Sequence, residues 1–105
     1  MSRERGTYRG AGMMFDLTGF QRDLLYVTAG LEQPSGQTIK EALSEDRGEV
    51  NPGRLYPNLD TLVERSLVEK GEQNGRSNYY QITEKGLETI RSRREWEDRQ
   101  LPGGV

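Results

Sequence analysis

Arg54, Asn58, Thr61 and Arg65 recur three to four residues apart, a spacing that places them on one side of an α-helix. They share a chemistry. A guanidinium can fork onto guanine N7 and O6, a carboxamide can pair with adenine N6 and N7, a threonine can touch a thymine methyl, and any of them can hold a phosphate. Tyr56, next to Arg54, suits packing or a phosphate hydrogen bond, and Arg76 beside Asn74-Gly75 suits a phosphate or minor-groove contact. The alternative for the same residues is a solvated helix face. What favours a nucleic-acid groove is the other face of the same stretch: at ~100° per residue, Leu55, Leu59, Leu62 and Val63 form a buried stripe with Tyr56 at its margin.

Other chemistries are excluded by composition. The 105-residue chain has no His and no Cys, which removes the usual zinc ligands, the thiol nucleophile, the thiol redox sensor and the imidazole base. Glu95, Glu97 and Asp98 lie outside any recognisable pocket pattern, and Gly10-Ala11-Gly12 lacks the preceding strand and following helix of a phosphate-binding loop. The expectation is a binding protein with no catalytic residue, cofactor or metal. No apolar run approaches the ~20 residues of a membrane span, nor is there the apolar region of a secretory signal, so a cytoplasmic location without membrane partners is expected. The formal charge of −2 is unusual for a DNA binder, since nonspecific affinity comes from cations that displace counterions. The distribution offsets it: Arg3, Arg5 and Arg9 lie near the start, while Glu41, Glu45, Asp46 and Glu49 crowd one segment.

The elements that must position the candidate face can be read in order. Residues 1–13 are polar and Gly-rich, and are read as a mobile arm. Thr18 with Gln21 makes a capping box for a helix over 19–31, on which Phe20, Leu24, Val27 and Leu31 form one stripe. Leu25 and Ala29 lie off it, with Tyr26 on the other flank, which predicts two buried faces, one toward the domain and one toward a partner subunit; the alternative for Leu25, Ala29 and Trp96 is that they complete a monomeric core. Ser35 or Gly36 caps a helix near 37–46, with Ile39, Ala42 and Leu43 inward. Asn51 caps the third helix, Pro52 takes its first position and the helix runs to about Arg65. An interior Pro57 predicts an irregular first turn, and Ser66 stands where a left-handed glycine is preferred, which predicts local strain. Leu67 to Gln73 and Ser77 to Ile82 are strands joined at Asn74-Gly75, with Tyr80 and Ile82 inward and Tyr79 and Gln81 outward. Thr83 caps a last helix toward Gln100. There Leu87 and Ile90 share a side, while Trp96 points almost opposite to Leu87 and needs a partner.

This order is that of a mainly α winged helix-turn-helix with a small β-hairpin and a C-terminal dimerisation helix. Expected divisions are an arm at 1–13, a winged-helix DNA-binding domain at 14–83, a dimerisation helix at 84–101 and a tail at 102–105. A small domain without disulfides gains stability by oligomerising. The expected homodimer seam holds Leu25, Ala29, Leu87, Ile90 and Trp96, and only this seam leaves space for a small-molecule ligand.

Arg54-Leu55-Tyr56-Pro57-Asn58-Leu59-Asp60-Thr61-Leu62-Val63, Leu67-Val68-Glu69 and Asn78-Tyr79-Tyr80-Gln81-Ile82-Thr83-Glu84-Lys85-Gly86 resemble the PadR-like transcriptional regulators over roughly 15–100. Asp16-Leu17-Thr18-Gly19-Phe20-Gln21-Arg22-Asp23-Leu24-Leu25-Tyr26 and Arg94-Glu95-Trp96-Glu97 resemble the haloarchaeal branch, which includes oxidative-stress regulators; scarce lysine and acidity suit that salt-rich setting. The resemblance implies a homodimer joined through the first and last helices, bound to double-stranded DNA at pseudo-palindromic operators and usually repressing. The sequence departs from it at Ser66, where Gly is common, and at a wing tip with only Arg76. A module of the same fold that binds protein instead of DNA is the alternative that the negative charge allows.

Overall fold

The computed structural model describes residues 12–105 apart from Asn74 and Arg76. Helices α1 (Gly19–Gly30), α2 (Gly36–Arg47) and α3 (Pro52–Glu64) precede an antiparallel hairpin, β1 (Val68–Gln73) and β2 (Ser77–Ile82), and helix α4 (Glu84–Gln100) closes the order. Each helix starts where a side chain accepts from an otherwise unpaired N–H. Thr18 Oγ1 accepts from Gln21 N in a complete capping box, and Ser35, Asn51 and Thr83 cap α2, α3 and α4.

The helix α3 runs unbroken through Pro57. The irregularity expected from that proline is limited to a tightened first turn, where Arg54 N as well as Leu55 N donates to Asn51 O at 2.9 Å. At the other end Ser66 adopts φ 63°. Its N–H donates to Val63 O and that of Leu67 to Leu62 O, at 2.9 and 3.0 Å, the paired bonds of a Schellman ending. Ser66 thus holds the left-handed position that glycine would occupy without a Cβ penalty.

The apolar stripes meet in one core. Leu24, Leu25, Ile39, Leu55, Leu59 and Leu62 are fully enclosed, with Val68 and Tyr80 from the hairpin. Register pairs Val68 with Ile82 and Lys70 with Tyr80, so the inward face is the one that alternation predicts. Tyr80 N also donates to Pro34 O at 2.8 Å, tying the hairpin to the loop before α2.

Two expectations change. Met13 and Met14 are buried, Met14 completely, so the packed chain begins before residue 14 and Met13 does not belong to an arm; residues 1–11 of that arm lie outside the described residues. Leu25, expected at a subunit seam, is enclosed by its own chain, and Ile90 is also core at 8% exposure. The reason is that α1 is wrapped by α2, α3, β2 and α4, so residues off its main stripe also find partners within the chain.

Candidate nucleic-acid interface

The exposed side of α3 begins at Pro52 and includes Arg54, Tyr56 and Asp60. The Arg54 guanidinium lies 4.0 Å from the centre of the Phe20 ring, and that of Arg47 lies 5.1 Å from the same ring. Arg47 is neutralised by Asp23 at 2.7 Å. Among the described residues no carboxylate lies within ion-pair distance of Arg54. The cation–π contact with Phe20 holds the Arg54 guanidinium at the exposed start of α3, a position suited to a base edge or a phosphate.

Tyr56 is 40% exposed and packs over the start of α2. A Cβ on Gly36 would stand 2.5 Å from Tyr56 Cε1, so only glycine lets the ring approach this closely. Ser35, the cap of α2, with Gly36 and Gln37 from α2, Tyr56 and Asp60 from α3 and Lys70 from β1 line a cleft of about 470 Å³. Lys70 Nζ lies 3.8 Å from Asp60. Tyr80 closes the cleft from below, its phenol pKa raised by burial first and then by the Asp60 carboxylate. The cleft therefore gathers hydroxyl, amide and ammonium donors, with Asp60 as the opposing charge.

Other candidates are engaged elsewhere. Asn58 is half-buried, accepting at Oδ1 from Gln21 Nε2 at 2.9 Å and donating from Nδ2 to Arg54 O at 2.8 Å. Thr61 Oγ1 donates to Pro57 O at 3.1 Å. Arg65 turns away from Arg54, pairs with Asp16, and its carbonyl accepts from Lys85 Nζ at 2.9 Å. It borders the groove along α4 and not the cleft at the start of α3. The equal helical spacing of Arg54 and Arg65 is thus not matched by a shared surface, because Arg65 is the residue that ends the helix. Arg76 lies outside the described residues.

Sequence reasoning missed Gln21, Phe20 and Lys70 as parts of this surface. Gln21 carried only its capping signal and Phe20 only its place in a core stripe, while Lys70 had no signal beyond its position on a strand. Of the seam residues, Ala29 and Leu87 are half-buried and Trp96 is half-buried with Phe15 as its ring partner. Among the described residues no acidic cluster could hold a metal, and no helix is long and apolar enough to cross a membrane.

The description "transcriptional regulator PadR-like family" is that of a family whose model matches residues 24–92. A complex structure of RosR from H. salinarum is 42% identical, covers 92% of this chain and 83% of that one, and superposes with a TM-score of 0.81. The structure of H. salinarum RosR grown from NaBr is 43% identical, with coverage of 88% and 84% and a TM-score of 0.78. The S. aureus MepR–DNA complex, at 17% identity, covers 92% of this chain and 79% of its own with a TM-score of 0.67, a likeness of fold alone. Among curated proteins, none matches.

Proposed function

Because the chain belongs to the PadR-like family of transcriptional regulators, we propose that it binds operators sequence-specifically as a homodimer, represses transcription and acts without catalysis or cofactor in the cytoplasm. The observation that carries this reading is Arg54 at the exposed start of α3, stacked on Phe20 and without a carboxylate partner among the described residues. In winged and helix-turn-helix docking the N-terminal residues of the recognition helix meet the base edges. The start of α2 and Lys70 of β1 line a cleft with Tyr56 beside that end, and Tyr56 and Lys70 are the proposed phosphate contacts. We assign residues 13–83 to the DNA-binding unit, 84–101 to dimerisation and 102–105 to a tail. The S. aureus MepR complex contains DNA, and its shared fold supports the same type of partner.

Substitutions in α3 and at the wing tip separate base reading from charge. Arg54→Ala and Asn58→Ala are expected to weaken binding and relax the selected sequence, since a good side-chain contact to a base edge discriminates by roughly 1–3 kcal/mol. Arg76→Ala is expected to weaken all duplexes alike and reduce the salt slope by about one phosphate contact. Operator selection and titration at the source organism's own salt check both outcomes. If all three variants bind duplex DNA as the parent does, a protein-binding module becomes the better account.

A role in stress response does not require the chain itself to be the oxidant sensor. It has no cysteine, so the thiol oxidation ladder has no starting point. Met13 and Met14 are 7% and 0% exposed, which shields their thioethers. Mild peroxide applied to the purified protein is expected to leave operator affinity unchanged. A reversible loss of binding in the pure protein would contradict this.

A further inference from the structure

Asn58 does not meet the groove with a free amide. Its carboxamide belongs to a relay whose sense is fixed at both ends by backbone groups. Thr18 N–H donates to Gln21 Oε1 at 3.1 Å, which turns the Gln21 amide nitrogen toward α3, where it donates to Asn58 Oδ1 at 2.9 Å. Asn58 Nδ2 then donates to the Arg54 carbonyl at 2.8 Å. A backbone N–H can only donate and a backbone carbonyl can only accept. Neither amide can turn over without losing a hydrogen bond at each of its ends.

We propose that Gln21, a residue of α1, sets the base preference of Asn58 on α3. It holds the Asn58 oxygen toward α1, so that Asn58 meets the major groove with its second N–H as a single donor. The oxygen and nitrogen pair that an adenine edge requires is not presented together. A single donor fits acceptors such as guanine O6 and N7, adenine N7 or thymine O4, and is mismatched to the cytosine amino group. Gln21 is well placed for this role because the reciprocal bond from its own N–H to Thr18 Oγ1, at 3.1 Å, fixes it at the first turn of α1. It acts as a positioning residue, through Asn58. The inference rests on α3 being the groove-bound helix.

Gln21→Glu is the discriminating substitution. A glutamate keeps an oxygen for the Thr18 N–H, so the capping box survives, but it faces Asn58 with an acceptor where the glutamine has a donor. The Asn58 oxygen is then repelled from α1, and reversal would set it against the Arg54 carbonyl, so the amide is expected to leave the relay and offer its oxygen and nitrogen together, the pair that an adenine edge requires. Gln21→Met, of similar length and without either polar group, releases Asn58 without repelling it. Operator selection with Gln21→Glu should change the preferred base pair at the same position that Asn58→Ala relaxes, with a swing of roughly tenfold in the affinity ratio. Gln21→Met should only relax that position, and Gln21→Glu should still melt as one cooperative fold, since its capping box is retained.

If Asn58→Ala changes the motif while both Gln21 variants return the parent motif, the positioning role is overturned and the groove-helix reading stands. If Arg54→Ala and Asn58→Ala also return the parent motif, the groove-helix reading itself fails. The unsubstituted protein supplies a readout that needs no variant. The side-chain amide protons of Gln21 and Asn58 are expected to exchange more slowly than those of an exposed amide, and free exchange at both residues would overturn the relay.

Discussion

Gly86→Ala is expected to lower the melting temperature by on the order of 10 °C, the size that follows from ~1–3 kcal/mol of overpacking and ~4–8 °C per kcal/mol in a domain of this length. Gly86 is buried in the first turn of α4. A Cβ there would overlap the Leu67 carbonyl oxygen and stand 2.7 Å from Ile82 Cδ1. The isoleucine end can swing aside, but the carbonyl cannot. Leu67 O accepts from Thr83 N at 3.1 Å and lies 3.0 Å from Thr83 Oγ1, and it sits in the chain between the Schellman ending of α3 and the first residue of β1. Pushing it displaces α3, the hairpin and α4 together. Gly19→Ala is the control, since nothing lies within 4 Å of its Cβ position and its melting temperature should stay level or rise slightly. Calorimetry on the two variants decides the matter: a Gly86→Ala protein melting with the parent would mean that α4 does not rest on the Leu67 carbonyl.

The same contact explains why the run Tyr80-Gln81-Ile82-Thr83-Glu84-Lys85-Gly86 is informative as sequence alone. Tyr80 enters the core, Thr83 caps α4 and binds the Ser66 and Leu67 carbonyls that follow α3, and Gly86 makes room for a backbone. Each of those roles is local, or depends on a neighbour fixed by the short hairpin, and so leaves a signature in residue type and spacing. The helix caps and the Leu55, Leu59, Leu62 stripe are legible for the same reason. The candidate site is less so. Asn58 is oriented by a residue 37 positions away and Arg65 by one 49 positions away, and helical periodicity places a side chain on a face without saying which distant partner will claim it. Spacing alone therefore offers Arg54, Asn58, Thr61 and Arg65 as equals, whereas contacts across the fold leave Arg54 the most available of them. Leu25 shows a related limit: an off-stripe residue signals a second buried surface, but not whether that surface belongs to the same chain.

Trp96→Ala is expected to raise the dimer dissociation constant by on the order of thirtyfold or more, the loss of ~2 kcal/mol or greater that follows truncation of a tryptophan anchor. The indole already has an internal partner. Its ring meets Phe15 edge to face at 5.1 Å, and the Arg93 guanidinium lies 4.6 Å from the Trp96 ring and 5.4 Å from Phe15. That cluster half-buries the indole and leaves its surroundings open: Phe15 remains 48% exposed and Leu101 50%. Tyr26 on α1 is 38% exposed, and its phenol pKa is raised by partial burial and then by the Glu97 carboxylate of α4. Aromatic surface held rigid and left uncovered, on a small protein without disulfides, is the composition of a subunit contact. With Leu25 and Ile90 committed to the core, the proposed seam passes to Phe15, Tyr26 and Trp96, with Ala29 and Leu87 beside them. Sedimentation across a concentration series should show a dimer for the parent and a folded monomer for Trp96→Ala, its helical circular dichroism retained. Phe15→Ala, which removes the internal partner and leaves the indole, should weaken the dimer by less. A Trp96→Ala chain that sediments as the parent dimer would place the seam elsewhere, and would leave the ring cluster as a local brace between the segment before α1 and the last helix.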